Sequence, residues 1–254
     1  ARNENNGRTE MKFFEKYSRS AFFPPGRMRE VQTRLLRQHL AYCQAASPFY
    51  RKLFRVRGIV PDQITLDNLQ DIPLTDKRCL ERSNNAFLAV PRERVADIVL
   101  SSGTTGVPTK IVYSGRDLER LAYNERQSLA ACGIGARDRV LLTCTIDRCF
   151  VAGLAYYLGA RAVGAACIRN GLNNLESHAG VIKLMSPSVI VGVPSFLRKL
   201  GMFLESRKIS VKSVKRLVCI GEPLRDRNMD ALAVTKDIEA VWKARAYSTY
   251  SSSV

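Results

Sequence analysis

From about residue 96 onward, short β-branched or aliphatic runs alternate with longer stretches of helical period, and this alternation constrains the fold more than any other feature. The strand-like runs are 98–100, 110–113, 139–143, 164–168, 188–193, 216–220 and 240–246. Strands separated by roughly ten to twenty helical residues are the mark of β-α-β units, so an α/β fold with a mainly parallel sheet covered on both faces is expected. Ligands of such sheets sit at the carboxyl ends of the strands. Segments 143–150, 168–171, 193–195, 221–223 and 247–254 are therefore expected along one edge.

The chain ahead of this region reads differently. Over 28–46 the apolar residues Val31, Leu35, Leu36, Leu40 and Cys43 recur at three- and four-residue steps, which predicts an amphipathic helix ended by Ser47-Pro48. A short helix over 49–57 should stop at Gly58, and residues 61–68 read as loop followed by a short element. Leu74-Thr75-Asp76 supplies an N-cap before Lys77. Further on, Ser114 and Asp117 form a capping arrangement that opens a helix closed by Gly133. Three regions follow: a polar extension over 1–27, a helical lead over 28–95, and an α/β region over 96–254.

Composition narrows the function classes. The chain has 254 residues, 46% of them hydrophobic, enough for a sizeable core and too apolar for general disorder. No run of about eighteen apolar residues occurs and the first ten residues are polar, so a cytoplasmic location without a membrane span is expected. The seven cysteines are scattered through apolar stretches and read as reduced core thiols. With only His39 and His178, they build no recognisable zinc site, and no metal-ligand set is assigned. Neither histidine belongs to a catalytic triad arrangement, which disfavours hydrolase chemistry; both read as surface or packing residues. The net charge of +17 predicts attraction to phosphates or acidic groups, but no basic stripe interleaves with aromatics, so nucleic acid is not the expected partner. A non-catalytic basic binding module remains an alternative.

The most informative segment is Ser101-Ser102-Gly103-Thr104-Thr105-Gly106-Val107-Pro108-Thr109-Lys110, set between two strand-like runs. Glycines let backbone N–H groups approach phosphate oxygens, the hydroxyls add donors, and the lysine adds a mobile positive charge. It is not a Walker A loop, because the GxxxxGK[ST] spacing is absent. On composition alone the same cluster also fits a plain hairpin connection.

The ordered string from Ser101 to Pro108 resembles the phosphate-binding loop of the adenylate-forming superfamily of acyl-CoA synthetases. Ser47-Pro48-Phe49-Tyr50-Arg51, Gly58-Ile59 and Ile72-Pro73-Leu74-Thr75-Asp76-Lys77 are similar to the N-terminal region of its phenylacetate-CoA ligase branch. Gly221-Glu222-Pro223 resembles the turn that lines the family's adenine pocket, and Tyr250 begins a string similar to its Tyr-Gly-x-Thr/Ser-Glu motif. The resemblance covers roughly residues 28 to 254 and implies part of the large N-terminal domain of such an enzyme. Two positions depart from the pattern: Lys110 lies one step beyond the usual lysine, and Val254 stands where a magnesium-holding glutamate is usual.

The resemblance implies a ligase using ATP, Mg2+ and coenzyme A. A carboxylic acid, favoured as an aryl acid, would attack the α-phosphorus of ATP to give an acyl-adenylate, which a thiol would then resolve. Ser101, Ser102, Gly103, Thr104, Thr105, Gly106 and Lys110 would meet the phosphates, and Gly221, Glu222, Pro223 and Tyr250 the adenine. Phe150, Ala152, Gly153 and Pro194 would face the acid. Phe150 equally fits plain core, and Pro194 a simple first-turn helix residue. Passing the acyl group to an amine, hydroxyl or carrier protein is the alternative within this chemistry, and a homodimer fits its relatives. The ribose-binding aspartate, hinge and mobile C-terminal domain of the family do not appear in these residues, so an incomplete chain that binds nucleotide weakly and does not turn over alone is expected.

Overall fold

The computed structural model describes residues 20–101 and 109–249, which fall into two compact units divided between Glu119 and Arg120. The first unit carries helices α1 (Pro25–Ala46), α2 (Pro48–Arg57) and α3 (Lys77–Phe87), then a hairpin of β1 (Val95–Leu100) and β2 (Lys110–Ser114). Helix α1 starts before residue 28 because Pro25 sits at its first turn, where a missing N–H costs nothing. Ser47 closes α1 through its N–H to the Cys43 carbonyl, and its buried hydroxyl donates to the Ala86 carbonyl at 3.1 Å. The expected caps are present: Gly58 ends α2 at φ +64°, and the Asp76 carboxylate accepts from the Cys79 N–H at 2.8 Å. Residues 61–63 and 69–71 are single 3-10 turns. Leu40, Phe54, Ile59 and Ile64 form the small core.

Strands β1 and β2 pair antiparallel with each other as a separate two-stranded sheet, so the first two strand-like runs do not join the parallel one. Helix α4 (Gly115–Ala131) follows. Ser114 donates from its N–H and hydroxyl to Asp117 at 2.9 and 2.7 Å, and the Asp117 N–H returns a bond to the Ser114 hydroxyl, closing the expected capping arrangement.

The second unit is built on a five-stranded parallel sheet of β3 (Arg139–Leu142), β4 (Ala166–Arg169), β5 (Val189–Gly192), β6 (Arg216–Cys219) and β7 (Arg245–Ser248), in the order β4-β3-β5-β6-β7. Helices α5 (Val151–Ala162), α6 (Leu175–Met185), α7 (Pro194–Ser206) and α8 (Ala233–Trp242) connect the strands. Successive strand side chains point to opposite faces, and the core divides accordingly. Leu141, Ile190 and Leu217 pack with Ile182, Leu197 and Trp242 from α6, α7 and α8. Val140, Leu142, Val189, Val191 and Val218 pack with Leu129 and Tyr156 from α4 and α5. Both faces are thus covered, as a parallel sheet requires.

One expected strand is misplaced. Residues 240–242 finish α8, Lys243 terminates it at φ +50°, and the strand is Arg245–Ser248. A short apolar run does not distinguish helix from strand; here burial of Trp242 against α7, with its Nε1–H donating to the Leu197 carbonyl at 2.9 Å, decides for helix. The cysteine expectation also needs correction. Cys43, Cys132, Cys144 and Cys219 are buried free thiols, but Cys149 is exposed and Cys79 and Cys167 are only half-buried. Cys149 follows a loop rather than a strand interior, so its apolar neighbours do not enclose it.

Candidate functional site

The strand order locates the crevice of the second unit. The chain leaves β3 toward β4 on one side and leaves β5 toward β6 on the other, so the connections diverge between the carboxyl ends of β3 and β5. Thr143 stitches that point together. Its N–H and hydroxyl both donate to the Val191 carbonyl, at 3.0 and 2.9 Å, and the side chain is buried. Gly192 makes room for it: a Cβ there would collide with the Thr143 hydroxyl and come within 3.1 Å of Leu197 Cδ2. Strand spacing marked the segment after Thr143 as an edge, but no motif marked this pair.

At the start of α5, Phe150 is 40% exposed, which removes the core alternative for it. Ala152 and Gly153 are packing positions. A Cβ on Gly153 would lie 2.6 Å from the Thr145 carbonyl carbon and 2.9 Å from Ile146 Cα, with the carbonyl oxygen closer still. Glycine is therefore what lets the turn after β3 lie against the helix. Pro194 is buried at the first turn of α7, the place proline takes for local reasons.

Gly221 takes φ +75° after β6, a left-handed turn that favours glycine, and Pro223 is exposed. Glu222 reaches back to the neighbouring turn. Its carboxylate accepts the Ser195 N–H at 2.9 Å and the Ser195 hydroxyl at 2.7 Å, placing negative charge at the α7 N-terminus. The 194–195 and 221–223 turns are thereby one tied structure. At β7, the Thr249 N–H donates to the Cys219 carbonyl at 3.0 Å, while the Thr249 and buried Tyr156 hydroxyls lie 2.7 Å apart. Burial pushes the Tyr156 phenol up to about 12, so at neutral pH it stays protonated. These bonds fix the backbone just ahead of Tyr250, which lies outside the described residues.

The loop residues expected to meet phosphate belong to the first unit. Ser102, Gly103, Thr104, Thr105 and Gly106 lie outside the described residues. The loop's two ends are clamped: the Ser101 N–H donates to the Thr109 carbonyl at 2.9 Å, and the Thr109 N–H donates to the Ser101 hydroxyl at 3.1 Å, both residues being buried. Lys110 is exposed, with its ammonium donating to Asn85 at 3.2 Å. Among the described residues no three His, Cys, Asp or Glu side chains come together as a metal site. No described helix is long and apolar enough to cross a membrane.

The family described as AMP-binding enzyme matches residues 52–242. The phenylacetate-coenzyme A ligase of Thermus thermophilus is 35% identical over 191 residues, covering 74% of this chain and 42% of that protein. The Escherichia coli enzyme of the same name is 33% identical over 172 residues, covering 66% and 39% respectively. The chain thus spans less than half the length of these curated relatives. Among solved structures, a 2-hydroxyisobutyryl-CoA ligase in complex with 2-HIB-AMP and CoA superposes with a TM-score of 0.80 at 22% identity, covering 91% of this chain and 50% of that one, a likeness of fold.

Proposed function

Because the chain belongs to the AMP-binding enzyme family, we propose that it carries the phosphate-gripping and acid-facing part of an acid–CoA ligase that activates an aryl carboxylic acid with ATP. The observation that carries this reading is the clamped base of the 101–110 loop. Two hydrogen bonds between Ser101 and Thr109 hold the two ends of the Ser/Thr/Gly string together. The adenine-side and acid-side turns at 221–223 and 194–195 are likewise held in one arrangement by Glu222.

In this reading the acid's carboxylate attacks the α-phosphorus, pyrophosphate leaves, and the thiol of CoA displaces AMP from the acyl-adenylate. Such chemistry rewards alignment and charge neutralisation more than covalent catalysis. The loop would orient the β- and γ-phosphates. The Glu222 tie would keep the adenine turn and the acid turn from separating, and Thr143 would hold the ends of β3 and β5 together.

ATP binding to this chain, followed by saturation-transfer NMR, tests the loop assignment. Thr104→Ala with Thr105→Ala should weaken binding by about tenfold, the value of one or two lost hydrogen bonds to a charged group. If the chain ignores millimolar ATP, or the double substitution changes nothing, the loop does not grip nucleotide.

A further inference from the structure

Beside the carboxyl ends of β3 and β4 lies an open surface cavity of about 440 Å3 that none of the assigned positions lines. Its wall is mostly polar. Arg148 and Arg169 face it with Asp147 and Asn170, and only Ile146 and Leu172 are apolar contributors of any size. A plain aromatic ring would gain little from such a lining, since its burial depends on apolar contact.

The polar groups are organised rather than merely present. The Arg169 guanidinium lies over the Tyr157 ring at 5.3 Å, and neither arginine makes an ion pair with a described residue. Asp147 also lines the cavity; its carboxylate accepts from the Thr145 hydroxyl and is held below the usual carboxylate range first by that bond and, to a smaller extent, by the charge of Arg148. Asn170 has a defined amide orientation: its Oδ1 accepts from Ser177 Oγ at 3.3 Å and Asn173 Nδ2 at 3.4 Å, so its Nδ2 faces His178 Nδ1 at 3.0 Å. His178 is fully buried, with Nε2 unpartnered. Burial lowers the imidazole's pKa, partly offset by the Gly171 carbonyl, and so preserves the neutral form. The Asn170 amide thus lines the cavity while its nitrogen lies against His178. Arg148 and Cys149 also adopt consecutive left-handed conformations, φ +59° and +56°, which non-glycine residues hold only where the surroundings impose them.

We propose that this cavity binds a second carboxylate carried by the acid substrate, through Arg148, Arg169 and the Asn170 amide, making the preferred acid an aryl dicarboxylate. The identity of the carrier rests on the acid-activating reading above; the carboxylate subsite does not. Guanidinium pairs match a planar carboxylate in two-point geometry, and an amide N–H supplies a third donor.

The probes are homophthalate, an aryl acid with two carboxylates, and phenylacetate, its counterpart with one. Each is titrated by NMR into the protein, into Arg148→Gln and into Arg169→Gln, with melting temperature confirming that the variants fold. Homophthalate is expected to bind at least about tenfold more tightly than phenylacetate, as one charge-assisted pair allows, and either substitution should erase that preference while leaving phenylacetate binding within about twofold. The preference should also shrink as salt rises. Equal binding of the two acids, binding of neither, or a preference that survives both substitutions overturns the proposal. If ADP 3′,5′-bisphosphate displaces homophthalate in an arginine-dependent way and binds more tightly, the site belongs to the nucleotide end of CoA and the assignment to the acid is wrong. ATP titrated into the same samples separates the two readings. ATP binding without a dicarboxylate preference sinks only the subsite, and the preference without ATP binding leaves the subsite standing and sinks adenylation.

Discussion

Replacing Gly153 by alanine adds one methyl group and should nonetheless unfold the second unit more easily. The added Cβ would lie 2.6 Å from the Thr145 carbonyl carbon and 2.9 Å from Ile146 Cα, and both are backbone atoms that cannot rotate out of the way. Overpacking of this kind costs about 1–3 kcal/mol, with the upper end expected where backbone must shift. Alanine in a helix interior returns up to about 1 kcal/mol over glycine, which leaves a net loss of about 1–2 kcal/mol. For a protein of this size that corresponds to a fall of about 2–8 °C in Tm, read by circular dichroism. Gly180 supplies the control: it lies within α6 with nothing within 4 Å of its would-be Cβ, so Gly180→Ala keeps the propensity gain without the collision and should raise Tm by a few degrees. If both variants melt higher than the parent, the turn after β3 is not packed against α5 as described. The reasoning about why glycine stands at 153 would then be wrong.

Glu222→Ala removes the carboxylate that caps Ser195, and a cap of this type contributes about 1 kcal/mol, so Tm should fall by about 2–4 °C; an unchanged melt would mean the two turns are not tied. His178 gives a pH dependence of known sign. Its folded pKa is lowered by burial, so the unfolded chain binds the extra proton more readily, and stability is expected to drain away as pH falls below the unfolded value of about 6.5. Melting curves between about pH 7 and pH 5 should therefore show a steeper loss for the parent than for His178→Gln, which keeps an acceptor without the titration; parallel slopes would count against a neutral buried imidazole. Trp242→Phe deletes the donor to the Leu197 carbonyl and loosens packing at Gly201, for a cost of about 1–3 kcal/mol seen as a lower urea midpoint.

Period and punctuation made much of this molecule readable before any coordinates. Apolar steps of three and four defined α1, Asp76 and Ser114 announced helix starts, and alternating runs announced a parallel sheet, because each depends on residues close together in the chain. The expectation for 240–246 failed for the complementary reason: whether Ala240, Val241 and Trp242 coil or extend depends on α7, which lies some forty residues earlier. The same division runs through the candidate site. A motif marked Glu222 and a turn marked Pro194, but that Glu222 grips Ser195 follows only from the adjacency of β5 and β6.

Family and class of fold were legible in the string of residues, since motif order and hydrophobic period are properties of that string. Three-dimensional packing was needed to show that Gly153 serves close approach, that Thr143 closes the crevice, and that Arg148, Arg169 and Asn170 share one cavity with a buried histidine behind them. Those residues come from separate β-α units. Their meeting is set by the strand order β4-β3-β5, which arises from the burial of both faces of the sheet at once and leaves no trace in any local window of sequence.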